Sequence, residues 1–272
     1  MAGLLIGALY SCSDDNAEPD NGIEYSIVTD IDGNKYKTVV IGEQVWMAEN
    51  LRVTKYNNGD TIPTGLSNSE WVNTNSGAYT IYPHGNISGL DSDEEVLEAY
   101  GALYNWFALE ASNLCPIGWH VPSHDDWTQL EQYICNALGN SNCETRFPYH
   151  LLLTGPRGTN EGNALKSCRQ AGHPDDGDCN TLNHPRWHAD NTHYGFDQFG
   201  FSALPGGFRV PDGGYDNIGD NGYWWSSSSK SLAALAWYRS MDSSSGFVNR
   251  NSGLKRLGFS IRCVRDVGAL GR

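Results

Sequence analysis

The sequence predicts an α+β domain: two helices packed on a twisted, mainly antiparallel sheet, with long loops and disulfides. Three observations carry that reading. Short runs rich in β-branched and aromatic residues are separated by turns dense in Gly, Asn, Asp and Ser, as short antiparallel strands require. Two segments combine a capping signature with apolar residues at helical spacing. Cysteines fall at spacings that suit bridges, and no phosphate-binding loop or dinucleotide fingerprint interrupts the pattern. A net charge of −14 leaves no basic footprint for nucleic acid or an acidic membrane surface.

Ser26–Thr29 and Tyr36–Ile41 flank Asp30-Ile31-Asp32-Gly33-Asn34, whose turn chemistry makes the pair a hairpin. The alternation of Asp30, Asp32 and Asn34 also invites a calcium loop, but Gly33 sits too early and no glutamate closes the loop. A turn at Gly42-Glu43 leads to a third strand, Gln44–Met47. Residues 55–90 are punctuated by Asn58-Gly59, Pro63, Gly65 and Gly77 and read as loop. Ser92 and Glu95 then form a capping box. Val96, Ala99, Tyr100, Leu103 and Phe107 extend it as a helix of about four turns.

The stretch LCPIGWHVPSHDDW, Leu114–Trp127, gathers the residue types of metal and proton chemistry, yet its grammar is structural. Cys115–Gly118 is a turn and Trp119–Val121 is extended. Ser123 and Asp126 make a second capping box. Trp127, Leu130, Ile134, Ala137 and Leu138 line one helical face until Gly139 stops the helix. The stretch is read as a joint. Asp125 and Asp126 serve the helix N-terminus, and neither His120 nor His124 needs a chemical role.

Residues 139–198 read as an irregular, insertion-like region holding five of the eight histidines. His184, His188 and His193, with Asp190, are the zinc candidates. An H-x3-H pair converges only when helical, and Pro185 lies inside it, so a polar loop is the simpler reading. Beyond it come strands at Phe201–Leu204 and Phe208–Val210, and a loop from Pro211 to Gly222. Tyr223–Ser229 is a strand with one tryptophan on each face, of which at least one should be buried. Leu235–Met241 and Gly246–Asn251 form a hairpin, and Phe259–Arg265 is the final strand.

At the N-terminus, the apolar run Leu4–Leu9 is far shorter than the roughly 20 residues that span a bilayer and suits the core of a leader, residues 1–11. Leu9-Tyr10-Ser11-Cys12 resembles a bacterial lipobox, in which Cys12 carries the lipid. A basic segment ahead of the apolar core is missing, as a start truncated relative to the natural one would explain. Ser13-Asp14-Asp15 resembles the acidic tag that sends Bacteroidota lipoproteins to the outer face of the outer membrane, with residues 12–22 as a polar tether. The domain is 23–266 and the tail 267–272. Setting Cys12 aside leaves six of the seven cysteines, three bridges and 15 pairings on paper. Proximity favours Cys135–Cys143 and Cys168–Cys179, which leaves Cys115–Cys263. That long loop contributes about 4–5 kcal/mol in the chain-entropy model.

DIDGNKYKTVVIGEQVWMAENL, YGALYNWFAL, LCPIGWHVPSHDDW, GFSALPGGFR, GYWWSSSS and GFSIRCVRD, in this order, resemble the Fibrobacter succinogenes major paralogous domain of exported, often lipid-anchored proteins. The layout is similar to the C-type-lectin-like fold found in formylglycine-generating enzymes and bacterial variable receptors. That resemblance places Cys115 and Cys263 on neighbouring elements, in agreement with the pairing by parity. It implies a ligand surface on the loops and strands before the final strand, where Tyr215, Asp216, Asn217, Tyr223, Trp237, Tyr238, Arg239, Asn249 and Arg250 offer aromatic faces and hydrogen-bonding groups. Asp212, Asp216 and Asp220 are the calcium candidates there, against the simpler reading of a solvated loop. The expected function is a surface binding module for glycan or protein ligands. An oxidase needs a reactive cysteine pair, and a hydrolase needs paired carboxylates or a Ser-His-Asp set. No cysteine pair or carboxylate is singled out for either. A structural part of an adhesin or appendage is the third reading.

Overall fold

The computed structural model describes residues 23–110, 114–149, 153–230, 232 and 234–268; Cys12, its leader and its tether lie outside the described residues. β1 (Tyr25–Thr29) and β2 (Lys35–Ile41) form the predicted hairpin and β3 (Gln44–Met47) follows it. The Asp30 carboxylate builds the turn, accepting from the Asp32 and Asn34 amides and from the Tyr36 hydroxyl at 2.6 Å. Asp32 is likewise taken up, by the Thr54 amide at 2.6 Å and Lys55 Nζ at 3.0 Å. Two carboxylates committed to protein donors leave no calcium loop in this hairpin.

The loop region 55–90 contains α1 (Asn68–Asn73), opened by a Ser67–Glu70 capping box, and β4 (Tyr79–Thr80). Ser92 caps α2 (Asp93–Tyr100) as expected, but α2 runs eight residues instead of four turns. Gly101 ends it at φ +77°, and a Cβ there would stand 2.6 Å from Asn50 Cβ, so the chain must turn and only glycine fits. Leu103 and Phe107 therefore belong to β5 (Leu103–Tyr104) and α3 (Phe107–Glu110). α4 (His124–Ala137) has both halves of its capping box and buries Trp127, Leu130 and Ile134.

Next come α5 (Cys143–Arg146), β6 (Gly155–Arg157) and α6 (Glu161–Leu165), then β7 (Gly206–Arg209) and β8 (Tyr215–Ile218). The last third is β9 (Asn221–Ser229), β10 (Leu235–Asp242), β11 (Val248–Leu254) and β12 (Val264–Asp266). The strands make two four-stranded antiparallel sheets, β1-β2-β3-β12 and β6-β11-β10-β9, and two ribbons, β4-β5 and β7-β8.

Four elements depart from expectation. β8 lies where the sequence reads as loop. β6 and α6 lie inside the insertion-like region and are woven into the domain, β6 through its pairing with β11. Just after α6, Lys166 bridges Ala203, and its buried Nζ ties the loop at His193 to the end of β10 and its following turn by donating to the carbonyls of His193, Asp242 and Ser245. The predicted final strand is divided: Gly258–Ser260 bridges Arg209, Tyr104 and Trp224 before the chain crosses to β3 as β12.

β9 lies between two aromatic clusters. Trp224 packs toward Trp127 of α4 at 6.3 Å and Trp225 toward Phe259 at 4.4 Å, one on each face as expected. Both are fully buried because the sheet is covered on both sides. All three expected bridges are present, and Cys115–Cys263 closes a separation of 148 residues with its Cα atoms 5.8 Å apart. The Leu114–Trp127 stretch is the joint it was read as: Cys115 is bridged, His120 exchanges backbone hydrogen bonds with Val264, and Ser123 with Asp126 opens α4.

Candidate ligand-binding cleft

The strand register divides the predicted ligand residues into two groups. Tyr223, Tyr238 and Asn249 share one face of the second sheet through the Tyr223–Ser240 and Ser240–Asn249 pairs. All three are half-buried, Tyr223 and Tyr238 pack beside Phe259, and Tyr223 accepts a hydrogen bond from Asn217 at 3.1 Å. Tyr215 stacks edge-on against Tyr82, while Asp216 is exposed on β8. Trp237, Arg239 and Arg250 point the other way and are buried, which removes them from any ligand surface.

Those three pack against α4. Glu131 receives Arg239 Nε and, at 3.1 Å, Arg250 Nη2; the imidazole of His124 stands edge-on to Trp237 at 5.2 Å. Burial, followed by the positive charges of Arg239 and Arg250, holds the His124 pKa down at about 3. The native imidazole is therefore neutral between pH 6.5 and about 3, while the unfolded chain takes up a proton there. The unfolded state binds more protons, so stability falls as pH drops through that window, by roughly 4 kcal/mol from this group. Urea unfolding at pH 7 and pH 4 should show about 3 kcal/mol of this loss in the native protein, and His124→Asn should lose correspondingly less. Equal pH dependence in the two would refute the assignment.

A concavity of ligand size lies elsewhere. A cleft of about 790 Å³ opens between β1, β2 and the 48–52 segment on one side and the loop closed by Cys168–Cys179 on the other. On the first wall, Arg52 lies 4.6 Å from the Tyr36 ring and pairs with Glu49 at 3.0 Å and Glu98 at 3.2 Å. The second wall carries Asp175, Asp176 and Asp178, all exposed. His173 braces it from inside, with Nε2 against the Gly195 carbonyl at 3.0 Å and Nδ1 accepting from the Asp175 amide. Phe196 also lines the cleft with 39% of its surface exposed. Arg169 faces the cleft too, but its guanidinium is engaged by the Pro185 carbonyl at 2.7 Å. Carboxylates outnumber cations in the lining, six to three, so the potential inside is negative.

Sequence reasoning missed this cleft. The available signal was an acidic loop clipped by a local cysteine pair, Asp175, Asp176 and Asp178 between Cys168 and Cys179.

The metal candidates do not converge. His184 contacts the Tyr100 hydroxyl at 2.6 Å and the Ser88 carbonyl, His188 pairs with Asp220 at 2.8 Å, and His193 turns to Asp190. Residues 184–188 are not helical, and each imidazole of the H-x3-H pair is held by its own partners, His184 by Tyr100 and Ser88 and His188 by Asp220. Asp212 caps its own turn at Gly214, and Asp216 bonds the Asn217 amide, so with Asp220 on His188 the calcium candidates also scatter. Among the described residues no three His, Cys, Asp or Glu side chains gather as a metal group. The six described cysteines are all bridged, and no helix there is long and apolar enough to cross a membrane.

Fold and cleft together define a disulfide-braced α+β domain with a concavity of ligand size. The chain belongs to the Fibrobacter succinogenes major domain family, whose model matches residues 39–265 and so spans the segment from 139 to 198 as well. No curated protein matches it, and no solved structure does.

Proposed function

We propose that the protein is a binding module for extracellular glycans and that the cleft, rather than the strands of the C-terminal third, is the seat of recognition. One observation carries this reading: an exposed aromatic face at Phe196 shares a single concavity with carboxylates on a disulfide-braced loop. Aromatic rings cover the apolar faces of sugars, and carboxylates accept hydrogen bonds from neighbouring hydroxyls. The negative lining disfavours sulfated and uronic sugars and suits neutral or amino sugars. A rigid wall limits the ordering entropy lost on binding. Lipidation at Cys12 would hold the domain at the outer membrane surface, and a C-type-lectin-like chain path is the fold this reading assumes. Ile23 lines the cleft, so the tether would join the domain at its edge.

A glycan array probed with residues 24–272 is the test. A neutral or amino-sugar ligand is expected. The combination Phe196→Ala, Asp176→Asn, Asp178→Asn should weaken it by about tenfold or more, and Tyr238→Ala with Asn249→Ala should leave it unchanged. The reverse pattern would move the site to the sheet face, and silence across glycans would overturn the reading.

A further inference from the structure

The face of the second sheet that looks toward α4 holds more positive charge than the described protein groups neutralise. Arg239 and Arg250 stand directly opposite one another in the β10–β11 register, and both are completely buried. Like charges so placed repel, and burial keeps bulk solvent from screening them. Arg157 lies opposite Val248, which puts it on the same face, diagonal to Arg250. Among the described residues one buried carboxylate, Glu131, answers the two buried guanidiniums, and His124 beside them is neutral. One carboxylate against two guanidiniums leaves a single positive charge inside the fold.

The hydrogen bonding is short in the same direction. Thr128 Oγ1 accepts from Arg250 Nη2 at 3.2 Å, and its own proton goes to the His124 carbonyl; Pro148 O accepts from Arg250 Nη1 at 2.6 Å. Arg239 Nη1, Arg250 Nε, Arg157 Nε and both ring nitrogens of His124 remain buried with no protein partner. A native fold leaves few such groups unanswered, because each costs free energy. Water would satisfy the donors without cancelling the charge.

We infer that the buried polar layer between α4 and the second sheet binds a small monovalent anion of the halide type, chloride in an ordinary medium, through Arg239 and Arg250 with His124 beside them. Complete burial of both guanidiniums favours a small ion over a polyatomic one. A single excess charge calls for a monovalent one. The site is separate from the cleft and does not depend on the glycan reading.

Thermal unfolding of the disulfide-intact protein tests it. With gluconate as the reference anion at constant ionic strength, added chloride or bromide should raise Tm saturably by roughly 3–6 °C. Crystals grown with bromide should show an anomalous scattering peak within hydrogen-bonding reach of Arg239 and Arg250. Arg239→Met removes the excess charge, keeps the Glu131–Arg250 pair and should abolish the halide response. Equal Tm in gluconate and chloride would overturn the inference. So would a halide response that persists in Arg239→Met, or bromide found only elsewhere. If Arg239→Met does not fold, the scattering at this position decides alone.

Discussion

Replacing Cys115 and Cys263 together by alanine lowers the free energy of unfolding by about 5 kcal/mol in the chain-entropy model, against roughly 2.5–3 kcal/mol for either local clip. The difference follows from loop length, since the bridges close separations of 148, 8 and 11 residues. The long bridge also has most to hold on the native side. Both its sulfurs lie in the aromatic cluster around Phe259, and the Cys263 carbonyl accepts the Met47 amide at 3.1 Å, which docks the returning chain on β3. Denaturant titration of the three double variants, each with its other bridges intact, gives the ranking. Equal losses at all three would mean that the long bridge is incidental.

What the sequence disclosed and what it hid follow from the range of the interactions. The 25–41 hairpin, both helix caps and the two clips are local, decided within a dozen residues, and they were legible. Gly101 was misread because a helical spacing continues through it, and only the approach of Asn50, a contact distant in the chain, forbids continuation. The strand alternation correctly put Trp224 and Trp225 on opposite faces, but alternation does not say whether either face is wet. Arg239 and Arg250 looked like surface groups for the same reason, because their partner Glu131 lies on a helix more than a hundred residues earlier. Arg262 gives a second instance. Its guanidinium donates to Asn50 Oδ1 at 3.1 Å, which also accepts from Trp224 Nε1 at 2.9 Å, and it lies 4.5 Å from the Phe201 ring. Residues from four of the six motifs quoted above thus meet in one buried cluster, visible only once the chain is folded. The cleft was hidden for a related reason: its two walls come from segments about 130 residues apart.

Glu131→Gln is expected to destabilise the protein by about 3–5 kcal/mol, the usual cost of leaving buried charge unpaired. The side chain keeps its shape, so the loss measures charge and not packing. It removes the negative charge and one of the two acceptor oxygens from two arginines that are themselves opposed across a ladder and fully buried. Replacing all three groups by apolar residues of similar volume, Glu131→Leu with Arg239→Met and Arg250→Met, should recover most of the loss, because the desolvation cost of the ions disappears with them. The triple variant being far more stable than the single one is the diagnostic outcome, and strong non-additivity in the cycle is its signature. A loss below about 1 kcal/mol for Glu131→Gln would place the pair among ordinary solvated ion pairs. The buried charge would then not organise the sheet against α4.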